Sequence, residues 1–110
     1  MNNTAELDRS FLALSHPVRR AIVERLVAGP ASVGRASGGL GVSKPAVTKH
    51  LKVLEDAGLV GRTVTGRTHV LRLEPQSLRE VSKWLDLHRA LWERKFETVE
   101  RHLRGEETGR

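Results

Sequence analysis

Cysteine is absent from the sequence and aromatic residues are scarce. Without cysteine, the 110-residue chain has no disulfides, thiolate nucleophiles or thiolate metal ligands. Aromatic residues make up 4% of the chain, so the core has to consist mainly of aliphatic side chains. One domain is expected, because single domains commonly contain about 100–150 residues. A core of this size is modest, and dimerisation is a common way to bury more apolar surface.

Long apolar segments are also missing. No apolar run approaches the roughly 18 residues that a membrane-spanning helix needs. The stretch Met1–Ser10 is polar and lacks the apolar segment of a signal peptide. We therefore expect a soluble cytoplasmic protein with no membrane partner.

Sequence motifs for catalysis are incomplete or absent. The sequence shows no nucleophile elbow, no phosphate-binding glycine loop and no complete set of metal ligands. We therefore predict that the protein is not an enzyme and uses no cofactor.

The charge balance is basic. Lys and Arg number 19 against 13 Asp and Glu, a formal net charge of +6. Such a balance favours an anionic partner, and nucleic acid is the first candidate.

The first half of the chain has the hydrophobic spacing of helices. A first helix is predicted from about Thr4 to Leu14. A second helix begins at Pro17, with Ser15 or His16 as its cap, and ends at Gly29–Pro30.

Two shorter helices are predicted next. The segment Ala31–Leu40 can form a third helix capped by Ser32, although the glycine pair Gly38–Gly39 inside it predicts a short, frayed one. Ser43 is a good N-cap for a fourth helix that extends to about Ala57. Gly58 is suited to close that helix.

The second half of the chain predicts a hairpin followed by a long helix. Leu59–Thr65 and Thr68–Leu73 are rich in Val and Thr and alternate in polarity, and Gly66 in the turn between them can adopt positive φ. The last helix, about residues 76–104, has an apolar stripe too long for a lone surface helix. Residues 105–110 are predicted to form a disordered tail.

This order of elements defines a fold class. It is mainly α with a small β-hairpin, in the order helix, helix, helix, helix, strand, strand, helix. Two helices joined by a tight glycine-containing turn and followed by a hairpin are typical of a winged helix-turn-helix. We expect residues 1–104 to form this domain, with the last helix serving dimerisation.

The most informative segment is Gly41–Val60, which contains the fourth helix. Its large apolar residues share one face, while Lys, Ser, Thr and Ala side chains occupy the other near the N-terminal end. In helix-turn-helix proteins that end enters the major groove, where such side chains contact base edges. The residues expected to contact DNA are Ser32, Arg35, Ser43, Lys44, Pro45, Ala46, Thr48, Lys49, His50, Lys52, Arg62 and Arg67.

Positive charge is concentrated in the same region. Between Ser43 and Arg72 there are six basic and two acidic residues, a net +4 out of the chain's +6. The last helix contains seven basic and five acidic residues, as on an ordinary charged surface.

Among the wing residues, Arg67 next to the turn is the best candidate for a backbone or minor-groove contact, whereas His69 is more simply a surface residue. His50 is expected to pack partly against the helix-turn-helix scaffold.

The segment Ser15–Ile22 together with Val42–Val60 resembles the ArsR family of winged-helix repressors. The matching motifs are the "HP-x-RR-x-I" opening, the "VS-x-PAV" start and "HL-x-VL-x-x-AGLV" end of the recognition segment, and the "GR-x-x-x-x-x-L" wing, so the match covers about Phe11 to Leu73. The stretch Trp84–Trp92 is similar to the branch of that family without cysteine metal sites. The resemblance implies a homodimer, formed through the terminal helices, that binds a pseudo-palindromic operator and represses its own or a neighbouring operon.

One departure from the family pattern lies in the third helix. Where the family has an acidic residue followed by Leu, this chain has Arg35–Ala36, and Ser37–Gly38–Gly39 follows. The missing Leu is expected to weaken helix packing, and Arg35 adds a possible phosphate contact. Whether specificity or only rigidity changes is left open, as is whether Arg19–Arg20 contact phosphate or support the fold.

The last helix also allows two other interpretations, a small-ligand pocket and a metal site. Trp84, Trp92 and Phe96 can line a small-ligand pocket, but aromatics at helical spacing are more often interface core. The residues expected at the dimer interface are Leu7, Phe11, Leu85, His88, Trp92, Phe96 and Val99.

Resemblance to zinc-binding family members suggests weak metal candidates. Their ligand set would include Asp86, His88 and His102 here, but Val99 replaces one histidine, so we predict no metal site.

An alternative function class stays open. Winged helices also serve as protein-interaction modules without specific DNA binding, and the fold alone does not distinguish the two. Such a module is expected to present an apolar or acidic recognition helix. The concentrated positive charge therefore favours double-stranded DNA. No residue pattern identifies a small-molecule effector, and activation instead of repression is a second possible output.

Overall fold

The computed structural model describes residues 3–105. They form five helices and three strands. The helices are α1 (Asn3–Ala13), α2 (Pro17–Val27), α3 (Val33–Ser37), α4 (Lys44–Asp56) and α5 (Pro75–Arg104), and the strands are β1 (Ala31–Ser32), β2 (Val60–Thr65) and β3 (Thr68–Leu73). The prediction of a winged helix-turn-helix is confirmed, with one strand added.

Of the two candidates for the N-cap of α2, Ser15 and His16, the structure has His16. His16 has extended backbone, and its Nδ1 accepts a hydrogen bond from the Val18 N–H at 3.1 Å, ahead of Pro17 in the first turn. Ser15 instead donates from Oγ to the Leu12 carbonyl at 2.6 Å and so closes the end of α1. The chain thus turns sharply between the two helices with side chains satisfying both ends.

The limits of α4 follow the predicted signals. Ser43 is the N-cap, and its Oγ accepts from the Ala46 N–H at 3.3 Å. The helix ends at Asp56, and Gly58 takes a φ of +74°, a left-handed conformation that glycine adopts without steric cost.

The prediction for the region between α2 and α4 needs one correction. The short helix expected within Ala31–Leu40 is present as α3, which has five residues and ends where Gly38, with ψ of 141°, leaves the helix. Ser32 is its N-cap as predicted. The two residues before α3 form β1, which pairs antiparallel with β3 and makes a three-stranded sheet in the order β1-β3-β2. A two-residue strand is too short to produce an alternating pattern in the sequence.

A single aliphatic core joins these elements. Its largest fully buried side chains are Ile22 of α2, Leu51 and Leu54 of α4, Leu59 ahead of β2, and Leu71 of β3. The core is therefore aliphatic, as the composition requires, and it fixes α4 and the hairpin against each other.

Ala36 occupies a fully buried position in α3. The helix is also held by Arg25 of α2, whose Nη1 lies 3.3, 3.2 and 2.6 Å from the carbonyl oxygens of Arg35, Ala36 and Gly38. These carbonyls end a short helix and have no intrahelical partner, so the guanidinium supplies the missing donors. The Ala36 side chain is small, and the hydrogen bonds from Arg25 help to hold α3 in place.

Helix α5 extends away from the rest of the domain. Its 30 residues correspond to about 45 Å of helix, and the described chain measures 72 × 36 × 22 Å. Val81, near the start, is its one buried residue in the described structure. Gly105, with φ of +77°, caps the end of the helix, and the other residues of the predicted tail, 106–110, lie outside the described part. Within residues 3–105 no helix is both long enough and apolar enough to cross a membrane.

Candidate nucleic-acid interface

Helix α4 has one buried and one exposed face. Val47, Leu51 and Leu54 are buried against the core. Side chains at the intervening positions point to solvent, as the 3.6-residue period requires. The exposed residues of this face are Lys44, Pro45, Thr48, Lys49 and Lys52.

The N-terminal turn of α4 presents small and polar groups. Ser43 and Pro45 are exposed and Ala46 is half-buried. The Thr48 hydroxyl donates to the Lys44 carbonyl at 3.1 Å, which leaves its oxygen free to accept from a partner. The turn is therefore narrow and carries donors and acceptors suited to base edges.

Three exposed cations of this surface have no acidic partner. Lys44 and Lys49 of α4 and Arg67 of the wing form no ion pair within residues 3–105. Lys52 pairs with Asp56 at 3.3 Å, but both side chains are more than half exposed. Such a surface pair is worth little and gives way readily to a phosphate.

Arg62 was predicted as a DNA contact, and the structure engages it inside the domain. Its Nε and Nη2 each donate to a carboxylate oxygen of Glu55 at 2.9 Å. Its Nη1 lies 3.0 Å from His69 Nδ1. Arg62 thus connects both strands of the wing to α4. Glu55 was missed from the sequence, because a helix residue and a strand residue seven positions apart have no spacing signature.

His50 packs against the scaffold as expected. Its Nδ1 lies 3.1 Å from Nη1 of Arg19, and its ring centroid lies 4.3 Å from that of His16. Burial chiefly, and then the charges of His16 and Arg19, hold the pKa of His50 below the ordinary value of 6.5. The neutral ring accepts from the guanidinium, and this fixes the orientation of α4 relative to α2.

The two neighbouring arginines of α2 support the fold. Arg19 donates from Nε to the Ala13 carbonyl at 2.7 Å and from Nη2 to the Leu12 carbonyl at 3.0 Å. Arg20 donates to the Leu14 carbonyl at 2.8 Å. The Arg19 bonds satisfy C-terminal carbonyls of α1, and the Arg20 bond satisfies the Leu14 carbonyl just after it, which favours a structural role for both.

The wing and α3 enclose an open groove of about 490 Å³. Ser32, Arg62, Arg67 and His69 are among its lining residues. Ser32 accepts from the Arg35 N–H at 3.2 Å as the cap of α3, while the Arg35 side chain is exposed. The structure therefore brings Ser32 and the wing residues Arg62 and Arg67 to one groove, while Arg35 is not among its lining residues.

Comparison with known proteins agrees with this geometry. A helix-turn-helix domain model matches residues 14–62. The HTH-type transcriptional regulator Rv2034 of Mycobacterium tuberculosis is 47% identical over 79 residues, which cover 72% of this chain and 74% of the relative. The transcriptional repressor SdpR of Bacillus subtilis is 27% identical over 79 residues, covering 72% and 88%. The crystal structure of an ArsR family transcriptional regulator, with 34% identity and a TM-score of 0.74, covers 80% of this chain and 97% of that chain.

The chain belongs to the ArsR family. It is a winged helix-turn-helix, DNA-binding regulator of transcription, as its motifs indicate. The matched helix-turn-helix region includes α2, α3 and α4, the elements that carry most of the exposed cations described above.

The ArsR-type chain has an aromatic row where α1 meets α5. Trp84 packs edge-on against Phe11 at 5.6 Å and stacks on His88 at 4.3 Å, with Trp92 5.7 Å further on. His88 donates from Nδ1 to the Trp84 carbonyl at 2.9 Å, which fixes its ring. The row is continuous with apolar side chains that face solvent. The predicted interface residues are placed as follows: Phe11 37%, Leu85 36%, Trp92 41%, Phe96 66% and Val99 52% exposed, with Leu7 and His88 half-buried.

The weak metal candidates of this regulator do not converge. Asp86 pairs with Arg89 at 2.8 Å. His88 and His102 lie fourteen residues apart on one helix, which is about 21 Å of axial rise. In the described residues no three His, Asp or Glu side chains are grouped to hold an ion.

Proposed function

We propose that the protein is a homodimeric repressor that binds a pseudo-palindromic operator of its own or a neighbouring operon. The observation that carries the proposal is the exposed face of α4. Lys44, Thr48 and Lys49 project from the exposed face of the helix near its N-terminal end, and neither lysine has an ion-pair partner within the described residues. Arg67 extends this positive surface to the tip of the wing.

Each group has a distinct proposed role on DNA. Lys44, Thr48 and Lys49 enter the major groove, where Lys donates to guanine and Thr contacts several bases. Lys52 and Arg67 contact phosphates, Lys52 by exchanging Asp56 for the DNA backbone. Arg62 acts by positioning the wing.

The exposed apolar side of α5 supports dimerisation. The radius of gyration is 19.0 Å, whereas a compact chain of this length has about 13 Å. An isolated helix that exposes Leu91, Trp92 and Phe96 is unfavourable in water, and a second copy of α1 and α5 covers this surface. A twofold dimer then presents two α4 helices to successive major grooves, about 34 Å apart.

Repression follows from the location of such a dimer on DNA. A dimer on an operator near a promoter excludes the transcription machinery from the same DNA. The relative SdpR is named a transcriptional repressor, which supports this direction. Because its target is the chromosome, we place its action in the cytoplasm.

Fluorescence anisotropy with two DNA fragments tests the proposal. The protein is titrated into its own upstream DNA and into unrelated DNA of equal length, at about 50 and about 200 mM salt. We expect tighter binding to the upstream fragment that persists at the higher salt. The variant Lys95→Ala, with its change far along α5, is the matched control and should bind as the parent does. Equal binding to both fragments that disappears at higher salt would contradict the proposal and favour a protein-docking module.

A further inference from the structure

A cavity of about 440 Å³ lies at the C-terminal end of α4. Its walls come from α1, from the residues that end α4, and from the first turns of α5. It is therefore bounded by the helix proposed to enter DNA and by both helices proposed to form the dimer. Its volume matches that of ordinary small-molecule sites, which begin at about 300 Å³.

The cavity is acidic although the chain is basic overall. Four carboxylates line it, Glu6, Glu55, Asp56 and Glu80, against one cation, Arg9. Arg9 is exposed and forms no ion pair within residues 3–105, so Glu6 and Glu80 stay without an ion-pair partner among the described residues. The C-terminal end of α4 adds the negative end of a helix dipole.

A buried hydroxyl also opens into this cavity. Ser10 lines the wall and is 3% exposed. Its Oγ makes no hydrogen bond among the described residues, whereas every fully enclosed polar side-chain atom there has a partner. The hydroxyl is therefore open to the cavity space and available to a ligand there.

We propose that this cavity binds a small organic cation carrying primary amino groups. Among the described residues the Glu80 carboxylate accepts one long hydrogen bond, of 3.4 Å from Gln76, and it is available to pair with an ammonium group. Glu6 has no ion-pair partner in the described chain and provides a second carboxylate. Ser10 supplies a hydrogen bond at the inner wall. Charge-assisted bonds of this type are the strong ones in a partly enclosed site.

Two of the cavity's carboxylates also hold cations of the DNA-binding surface. Glu55 is the bidentate partner of Arg62, and Asp56 pairs with Lys52. The Glu55 pair is the better shielded of the two, at 29% and 27% exposed. An ammonium group in the cavity therefore competes with Arg62 for Glu55.

Through this competition the amine regulates operator binding, and this part of the inference rests on the proposed function. Loss of the Glu55 contact frees Arg62 and with it the wing, so amine binding and operator binding oppose each other. The coupling is reciprocal, because linkage requires each ligand to weaken the other by the same factor. The regulator would then release its operator when the amine accumulates.

The first experiment measures amine binding without DNA. The full chain, labelled with ¹⁵N, is titrated with 1,4-diaminobutane and, as a neutral control of the same length, 1,4-butanediol. We expect saturable shifts confined to the ends of α1, α4 and α5 that line the cavity, with a Kd below about 1 mM, and no response to the diol. Equal shifts with the diol, no saturation, or shifts centred on the acids near the end of α5 would overturn the site.

Variants assign the binding to the named groups. Ser10→Ala and Glu80→Gln should each weaken diamine binding about tenfold, the effect of losing one hydrogen bond to a charged group. The matched control Glu97→Gln removes an exposed acid of the same helix outside the cavity and should bind as the parent does. Circular dichroism confirms that each variant is folded, and Glu80→Gln, being isosteric, decides the matter if Ser10→Ala is unstable. Unchanged affinity in folded Glu80→Gln would overturn the assignment.

The second experiment measures operator binding with diamine at ten times its Kd and constant ionic strength. The parent should lose affinity by up to about tenfold, the limit set by exclusive binding to free protein. Glu80→Gln should lose far less at the same diamine concentration. Equal losses in both proteins would mean that the diamine acts on the DNA itself and would overturn the coupling. Failure of the amine-free protein to prefer any operator would overturn the proposed function and the coupling, while the first titration decides the cavity independently.

Discussion

Arg62 of the wing holds Glu55 of α4 through two parallel hydrogen bonds, each 2.9 Å long. The third arm of the guanidinium lies 3.0 Å from His69 Nδ1 on the neighbouring strand. A planar fork of this kind fixes direction as well as distance. The orientation of the wing relative to α4 therefore depends on a pair of residues whose sequence positions do not suggest a contact.

Replacing Glu55 tests whether Arg62 positions the wing or contacts DNA. If Arg62 positions it, Glu55→Gln should weaken operator binding, because the wing loses its anchor. If Arg62 contacts phosphate, freeing it should strengthen binding. We expect weakening of about 1 kcal/mol or more, from the loss of a charge-assisted pair, measured by anisotropy on the upstream fragment. Glu100→Gln on distant α5 is the control, and tighter binding by Glu55→Gln would contradict the positioning role.

Lys49 and Arg67 should differ in the kind of DNA affinity they supply. Lys49→Ala should reduce the preference for operator over unrelated DNA by about 1–3 kcal/mol, since Lys49 is assigned to base edges. Arg67→Ala should weaken binding to all sequences and lower the slope of log K against log salt by about 1. Competition titrations over a range of salt concentrations distinguish the two. An intact preference in Lys49→Ala would mean that α4 is not the helix in the groove.

Truncating the exposed aromatic row should separate the protomers. Trp92→Ala removes a large, partly exposed side chain from the surface assigned to the dimer, and buried aromatics dominate such interfaces. We expect the Kd of the dimer to rise, so that sedimentation velocity detects monomer at protein concentrations where the parent is still dimeric. Operator binding should weaken in parallel. Arg94→Ala, two residues along the same helix, is the control. Unchanged dimerisation in Trp92→Ala would exclude this surface from the interface.

Acid should destabilise the domain through His50. The pKa of this residue is held below 6.5 by burial, and then by His16 and Arg19. As the pH falls through about 6.5, the unfolded chain binds a proton before the folded chain does, so the free energy of unfolding decreases until the lowered pKa is passed. Urea unfolding at about pH 7.5 and about pH 5.5 should show this loss in the parent and a smaller loss in His50→Gln. His102→Gln, on the far end of α5, should retain the parent's loss; a parent-like loss in His50→Gln would contradict the assignment.

Two glycines of the α3 region should respond oppositely to alanine. A Cβ on Gly38 would lie 2.8 Å from the backbone oxygen of Gly34, so Gly38→Ala should destabilise the domain by about 1–3 kcal/mol. A Cβ on Gly34 meets nothing within 4 Å, so Gly34→Ala in the helix should stabilise by about 0.5–1 kcal/mol. Thermal unfolding of both variants gives the comparison, and equal effects would contradict the close approach at Gly38.

Local signals were sufficient for most of the fold. The start of α2 at Pro17, the cap and length of α4, the hairpin around Gly66 and the long last helix follow from spacing, capping and turn residues within a few positions. The third helix was predicted only as a short one within Ala31–Leu40, without exact bounds, and β1 was missed. The contacts that hold these elements come from outside that segment, from Arg25 for the end of α3 and from β3 for β1.

The sequence by itself determined that this chain is a basic, aliphatic winged helix-turn-helix of the ArsR type, because periodicity, caps and the family motif are all local properties. Only the tertiary structure decided which basic residues are available to a partner. Lys49 and Arg67 stay unpaired within the described residues, while Arg19, Arg20 and Arg62 are held by carbonyls, a histidine or a carboxylate. Composition counts all five as equal cations. Their roles differ because a guanidinium satisfied inside the fold is not free for phosphate, and that depends on contacts between segments that no local pattern specifies.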